Sequence, residues 1–135
     1  MEHSSAPSAL IVDDESIILI HACDILEEAG FKCANAADAP SAIALLDRHA
    51  NSVVLLFSDV EMPGEMNGLA LARHVDRHWP HIEIVLASGR IRPQPGDMPD
   101  RATFITKPFT TEMVHQHLRM KLPDDKQPGP LKQAI

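Results

Sequence analysis

A chain of 135 residues is long enough for one domain with a real core, and 44% apolar with 23% charged residues is the balance of a globular protein. The net charge of −7 argues against the basic surface that a nucleic-acid binder needs, and no apolar run approaches the roughly 18 residues of a membrane span. "MEHSSAPSAL" lacks the basic-then-apolar order of a secretory signal, and Cys23 and Cys33 are too few for a disulfide framework, so both are expected as small buried residues in a reducing cytoplasm.

The first apolar run, Ala9–Val12, ends directly in Asp13 and Asp14. Glu15–Ala29 then has helical period, with Ile18, Ala22, Ile25, Leu26 and Ala29 on one stripe and Gly30 just past its end. Ile17 and Ile20 fall on the opposite, polar stripe with His21, Asp24, Glu27 and Glu28, where apolar residues suggest a contact site. Lys32–Ala36 is a mixed run that suits a sheet edge. Asp38 can cap a helix over Pro40–Ala50, with Pro40 in its first turn. Val53–Ser58 is nearly all apolar and ends in Asp59.

Asn67 can cap Gly68–Trp79, and Pro80 follows its end. His74 and His78 have ligand-capable spacing there, but "RHVDRHWPH" reads as a polar helix face, and the histidines are taken as surface groups. Ile82–Ala87, again nearly all apolar, ends in Ser88. "GRIRPQPGDMPDR" holds three prolines and two glycines, so a short turn or ordered loop is predicted in place of a full helix. Ala102–Thr106, a second edge candidate, ends in Lys107. Thr110 can cap a last helix to Leu122, with Glu112 early and Arg119 and Lys121 late. The polar, proline-rich tail 123–135 is expected to be extended and flexible, as are residues 1–7.

Strands and helices alternating in this way imply βαβ units with right-handed crossovers, a doubly wound α/β domain over 8–122. In open parallel sheets ligands bind beyond the carboxyl ends of the strands. Those ends carry Asp13, Asp14, Asp59, Ser88 and Lys107, which would therefore share one rim. Two carboxylates at about 4 Å repel by roughly 4 kcal/mol at an effective dielectric of 20. One lysine offsets only part of that for three aspartates, and a hard cation such as Mg²⁺ is the natural complement. Carboxylates, lysine, hydroxyl and Mg²⁺ together are what phosphoryl transfer to an aspartate requires. Taken singly, each residue reads more simply as a helix cap, a turn or a solvated strand end.

The combination "IVDDE", "SDVEMPGEMNG", "LASG" and "ITKPF", in that order, resembles the receiver domain of bacterial two-component response regulators. The resemblance covers about Ser8 to Leu122. It implies a flavodoxin-like five-stranded sheet of order 2-1-3-4-5, with Asp59 as the acceptor of a phosphoryl group from a phosphohistidine. It also implies Mg²⁺ held by Asp13, Asp14, Asp59 and the backbone carbonyl of Glu61. Lys107 and Ser88 would contact the phosphoryl oxygens, Phe104 would be the aromatic switch with Ser88, and the Lys107–Pro108 peptide would be cis. Receivers dock a histidine kinase or a histidine phosphotransfer domain beside this rim, which makes Ile17, Ile20 and Pro108 the expected partner contacts. A receiver catalyses its own phosphorylation and dephosphorylation and is not a turnover enzyme; it acts on a downstream protein.

The chain also departs from the family pattern. "DVEMPGEMNG" is one residue longer than the commonest spacing between acceptor and glycine, and Phe104 lacks a tyrosine hydroxyl. The proline-rich 89–101 segment shortens or replaces the fourth helix of the family, so the usual dimer mode is not expected to transfer, and a homodimer is left open. Glu61 and Arg90, two residues past the acceptor and the serine, occupy positions that tune dephosphorylation and would face each other at the site mouth. A haloacid-dehalogenase-like phosphatase, whose motif is D-x-D with the nucleophile first, fits the adjacent Asp13 and Asp14 less well. An unphosphorylated pseudo-receiver and a receiver cut from a hybrid histidine kinase remain alternatives; the initiating methionine and the tail lean towards a stand-alone receiver.

Overall fold

The computed structural model describes residues 7–133. The chain runs β1 (Ser8–Val12), α1 (Ser16–Glu28), β2 (Lys32–Ala36), α2 (Ala39–His49), β3 (Val53–Asp59), α3 (Gly68–His78), β4 (Glu83–Ser88), β5 (Thr103–Thr106), α4 (Thr111–Lys121) and a short α5 (Gly129–Gln133). All sheet pairings are parallel, in the order β2-β1-β3-β4-β5. The two mixed runs therefore lie at the edges and the three continuous apolar runs in the centre, because a central strand is covered on both faces. One core, built on Ile11, Phe57 and Val85, packs against α1 and α4, and the other, built on Leu10, Leu56 and Leu86, packs against α2 and α3. Among the described residues, no helix is long and apolar enough to cross a membrane.

The predicted caps form. Asp38, Asn67 and Thr110 accept from the N–H groups of Ser41, Ala70 and Met113 at 2.9, 3.0 and 3.1 Å. Gly30 takes φ +103°, the left-handed conformation that ends α1.

As expected, the β4–β5 connection holds no helix. It is nonetheless pinned: Asp97 accepts from Arg73 at 2.7 Å through its carbonyl, and Arg101 spans the Asp76 carboxylate and the Ile82 carbonyl, each at 2.5 Å. These bonds take the place of the packing that a crossover helix would supply.

Three expectations need correction. The tail is not extended: a 3-10 turn at Asp124–Lys126 leads into α5, and Leu131 is completely buried. The cause is partly polar. The Gln127 amide donates to the Arg119 and Leu122 carbonyls at 3.2 and 2.9 Å, satisfying groups that the end of α4 leaves open, and the Lys126 ammonium donates to Glu83 at the start of β4 at 2.7 Å. Of residues 1–7, expected to be flexible, 1–6 lie outside the described residues, and the Pro7 carbonyl accepts from the Lys32 N–H at 2.9 Å.

Cys23 and Cys33 are half-buried, not fully so, because they sit where α1 meets the edge strand. Burial, more than the nearby carboxylates, pushes both thiols above their ordinary value. Not all histidines are free surface groups either. His115 bonds to the Ile25 carbonyl and His117 to the Thr103 hydroxyl, each at 2.8 Å, fastening α4 to α1 and β5.

Candidate functional site

The strand ends converge as the alternation predicts. Asp13 follows β1, Asp59 closes β3 opposite Ala87, Ser88 closes β4, and Lys107 follows β5 with its N–H on the Ser88 carbonyl at 3.0 Å. Asp13 is oriented from two sides, its carboxylate accepting from the Glu15 N–H at 2.9 Å and from the Lys107 ammonium at 2.9 Å. The same ammonium donates to Asp59 at 3.0 Å. Asp13 and Asp59 are buried, 3% and 6% exposed, whereas Asp14 is open to solvent. One oxygen from each of the three aspartates lies within 4.8 Å of the others.

Burial sets the electrostatics. It raises the Asp59 carboxyl above the ordinary carboxylate value, and the Asp13 charge adds to the rise, while Lys107 and the Glu61 backbone N–H oppose it. Burial alone would lower Lys107, but its bonds to Asp13 and Asp59 hold the ammonium above its ordinary value, so it stays charged. Three carboxylates against one ammonium leave unbalanced negative charge in a half-enclosed cleft.

That cleft, about 370 Å³, is lined by Asp14, Glu15, Asp59, Glu61, Arg90 and Lys107 together with Gly89. Glu61 and Arg90 thus share the mouth, though among the described residues no ion pair joins them. Ser88 is buried at 2% exposure, its hydroxyl oxygen accepting from the Arg90 and Ile91 N–H groups at 3.3 and 3.0 Å. Its hydroxyl proton is left for another acceptor. Phe104 is half-buried on the α2–α3 side of the sheet, beside Leu86 in register.

The expected partner contacts are accessible. Ile17 is 80% and Ile20 63% exposed, and Pro108, after a cis Lys107–Pro108 peptide, is exposed as well. Pro108 lines a mostly apolar pocket of about 360 Å³ with Ile18, His21, Gly89, Lys107 and Phe109. His21 lies flat on Phe109, ring centroids 5.6 Å apart, and its Nε2 is 3.2 Å from the Phe109 carbonyl. His21 was not among the residues that the sequence singles out for the site. Neither was Glu15, nor the role of Gly68: a Cβ there would collide with the Asp59 backbone, a contact no sequence pattern displays.

With this geometry in place, the relatives are informative. The family model for the response regulator receiver domain matches residues 9–119. The C4-dicarboxylate transport transcriptional regulatory protein DctD of Rhizobium meliloti is 35% identical over 124 residues, 86% of this chain and 25% of that protein. The alginate biosynthesis transcriptional regulatory protein AlgB of Pseudomonas aeruginosa is 42% identical over 84 residues, 61% of this chain and 18% of that protein. The chain thus spans about a quarter or less of these relatives. In fold it is similar to the response regulator receiver protein of Sinorhizobium medicae, with a TM-score of 0.79 at 24% identity, covering 87% of this chain and 94% of that one. The shared sheet order, the strand-end residues and a family match over most of the sequence lead to one conclusion: the chain belongs to the response regulator receiver domain family of two-component signalling.

Proposed function

We propose that the protein receives a phosphoryl group from a phosphohistidine onto Asp59 and passes on the signal through protein contacts. The observation that carries this reading is the convergence of Asp13, Asp14, Asp59 and Lys107 on one solvent-accessible cleft. A carboxylate oxygen of Asp59 attacks phosphorus, the P–N bond to the donor imidazole breaks, and the phosphoryl group becomes the acyl phosphate of Asp59.

The residues present fit Mg²⁺: hard oxygen donors from Asp13, Asp14 and Asp59, with Asp14 facing water and Glu61 lining the same cleft, where its backbone carbonyl would complete the set. When bound, the ion neutralises charge on the transferring oxygens. Lys107, already shared between Asp13 and Asp59, follows the new negative charge onto the phosphoryl group, and Ser88 donates its unspent hydroxyl proton to it. Movement of Ser88 loosens its hold on the Arg90 and Ile91 N–H groups, and Phe104 repacks behind it as the switch. Glu61 and Arg90 at the mouth control the approach of water to the acyl phosphate.

The reaction changes the protein itself and does not turn over a substrate. A histidine kinase or histidine phosphotransfer domain docks over Ile17, Ile20 and Pro108, beside the cleft. The setting is the cytoplasm, where such kinases present their phosphohistidine. Beryllofluoride, which mimics a phosphoryl group on a carboxylate, tests the site by calorimetry. Binding that needs Mg²⁺ and disappears in Asp59→Asn supports the reading, and binding that survives in Asp59→Asn refutes it.

A further inference from the structure

Away from the aspartate cleft, Cys23 on α1 and Cys33 on β2 meet where the helix crosses the edge strand. One donor atom each from Cys23, Cys33 and Glu27 lies within 4.8 Å of the other two, and the Cys33 thiol donates to the Cys23 carbonyl at 3.6 Å. Both cysteines are free and half-buried, and Glu27 stands one helical turn after Cys23 on the exposed face. Cys23 opens onto a surface groove of about 320 Å³ that Ile20, Asp24 and Asn35 also line, so the cluster is reachable from solvent. Asp24 and Glu27 place negative charge beside both sulfurs.

Two sulfurs and a carboxylate make a softer donor set than the three aspartates of the cleft. Around a tetrahedral ion with metal–sulfur bonds of about 2.3 Å, neighbouring ligand atoms stand roughly 3.8 Å apart. The donor atoms here lie within 4.8 Å of one another, so none is more than about 1 Å beyond that spacing. We propose that Cys23, Cys33 and Glu27 form a metal site, separate from the aspartate cleft, for a thiophilic divalent cation of the Zn²⁺ class with water as fourth ligand. Both thiols give up their protons when the ion enters. Occupation ties α1 to β2 along the groove that includes Ile20, so the site adjoins the exposed isoleucine face of α1. The competing use of the same two sulfurs is a disulfide formed by an external oxidant, in which Glu27 has no part.

The reduced, metal-free full chain, held in excess Mg²⁺ to occupy the aspartate cleft, is titrated with Co²⁺ and then with Zn²⁺. One equivalent of Co²⁺ is expected to produce a thiolate-to-cobalt charge-transfer band that Zn²⁺ removes. Cys33→Ser abolishes the band, and Glu27→Gln weakens Co²⁺ binding at least about 10-fold, the lower end of what even an outer partner of a ligand contributes. Glu27 is exposed, so its variant keeps the test valid if Cys33→Ser folds poorly. Absence of the band, a band retained in Cys33→Ser, or unchanged affinity in Glu27→Gln overturns the site. Loss of two hydrogens on mild oxidation, without any cobalt band, assigns the pair to a disulfide.

Discussion

Gly68 packs its α-carbon directly against the backbone carbonyl of Asp59, with no space for a side chain between them. Its N–H donates to the Val60 carbonyl at 2.8 Å, so the loop after β3 is closed back onto the strand end that presents Asp59. Gly68→Ala pushes that loop away from the strand. We expect a loss of about 1–3 kcal/mol in stability, as for other over-packed sites, and slower phosphorylation. Urea unfolding and the rate of adduct formation measure the two effects; unchanged values in both contradict the contact.

Leu131 is wholly buried although it lies in a segment rich in proline and charge. Leu131→Ala should destabilise the domain by about 2–4 kcal/mol, the cost of an emptied leucine site, and increase hydrogen exchange in α4. A change below about 0.5 kcal/mol would mean that the tail is not part of the folded unit.

These two positions show where sequence reasoning stops. The aspartates, Ser88 and Lys107 were legible because each terminates an apolar run, and strand ends of a parallel sheet share one rim. The sheet edges followed from the mixed composition of the second and fifth runs. Leu131 was not legible, since a single leucine among Pro128, Pro130 and charged residues has no periodicity, and its burial depends on a groove beside Gly30 and α4. Gly68 was visible as a residue, but its closeness to Asp59 is a tertiary fact. The pinning of the β4–β5 loop by Arg101 likewise joins residues far apart in the chain.

Asp59 carries a pH dependence whose sign follows from burial. Its folded carboxyl lies above the ordinary value, so the folded state holds the proton more tightly than the unfolded state does. That contribution favours folding at pH below the ordinary carboxylate value and is lost as pH rises through the folded value. At neutral pH the ionised Asp59 is a net burden on the metal-free protein, and Asp59→Asn should raise Tm there. The difference should shrink in acid, where Asp59 is protonated. Saturating Mg²⁺ should raise the wild-type Tm more than that of Asp59→Asn. Calorimetry across pH, with and without Mg²⁺, checks both; a wild type more stable than Asp59→Asn at neutral pH without metal contradicts the sign.

Ile17 and Ile20 expose apolar surface on α1 that the described residues leave largely uncovered. Replacing both with serine should slow phosphotransfer from a phosphorylated histidine phosphotransfer domain about 10-fold or more, as expected where interface anchors are lost. Phosphorylation by a small-molecule donor should be unaffected. Equal slowing with both donors would place the defect in the cleft and not in docking.

The acceptor role of Asp59 is the central claim, and intact mass after incubation with acetyl phosphate tests it most directly. Wild type should gain one phosphoryl group only when Mg²⁺ is present, and Asp59→Asn should gain none. An adduct of equal yield in Asp59→Asn, or no wild-type adduct together with no binding of beryllofluoride, would contradict it.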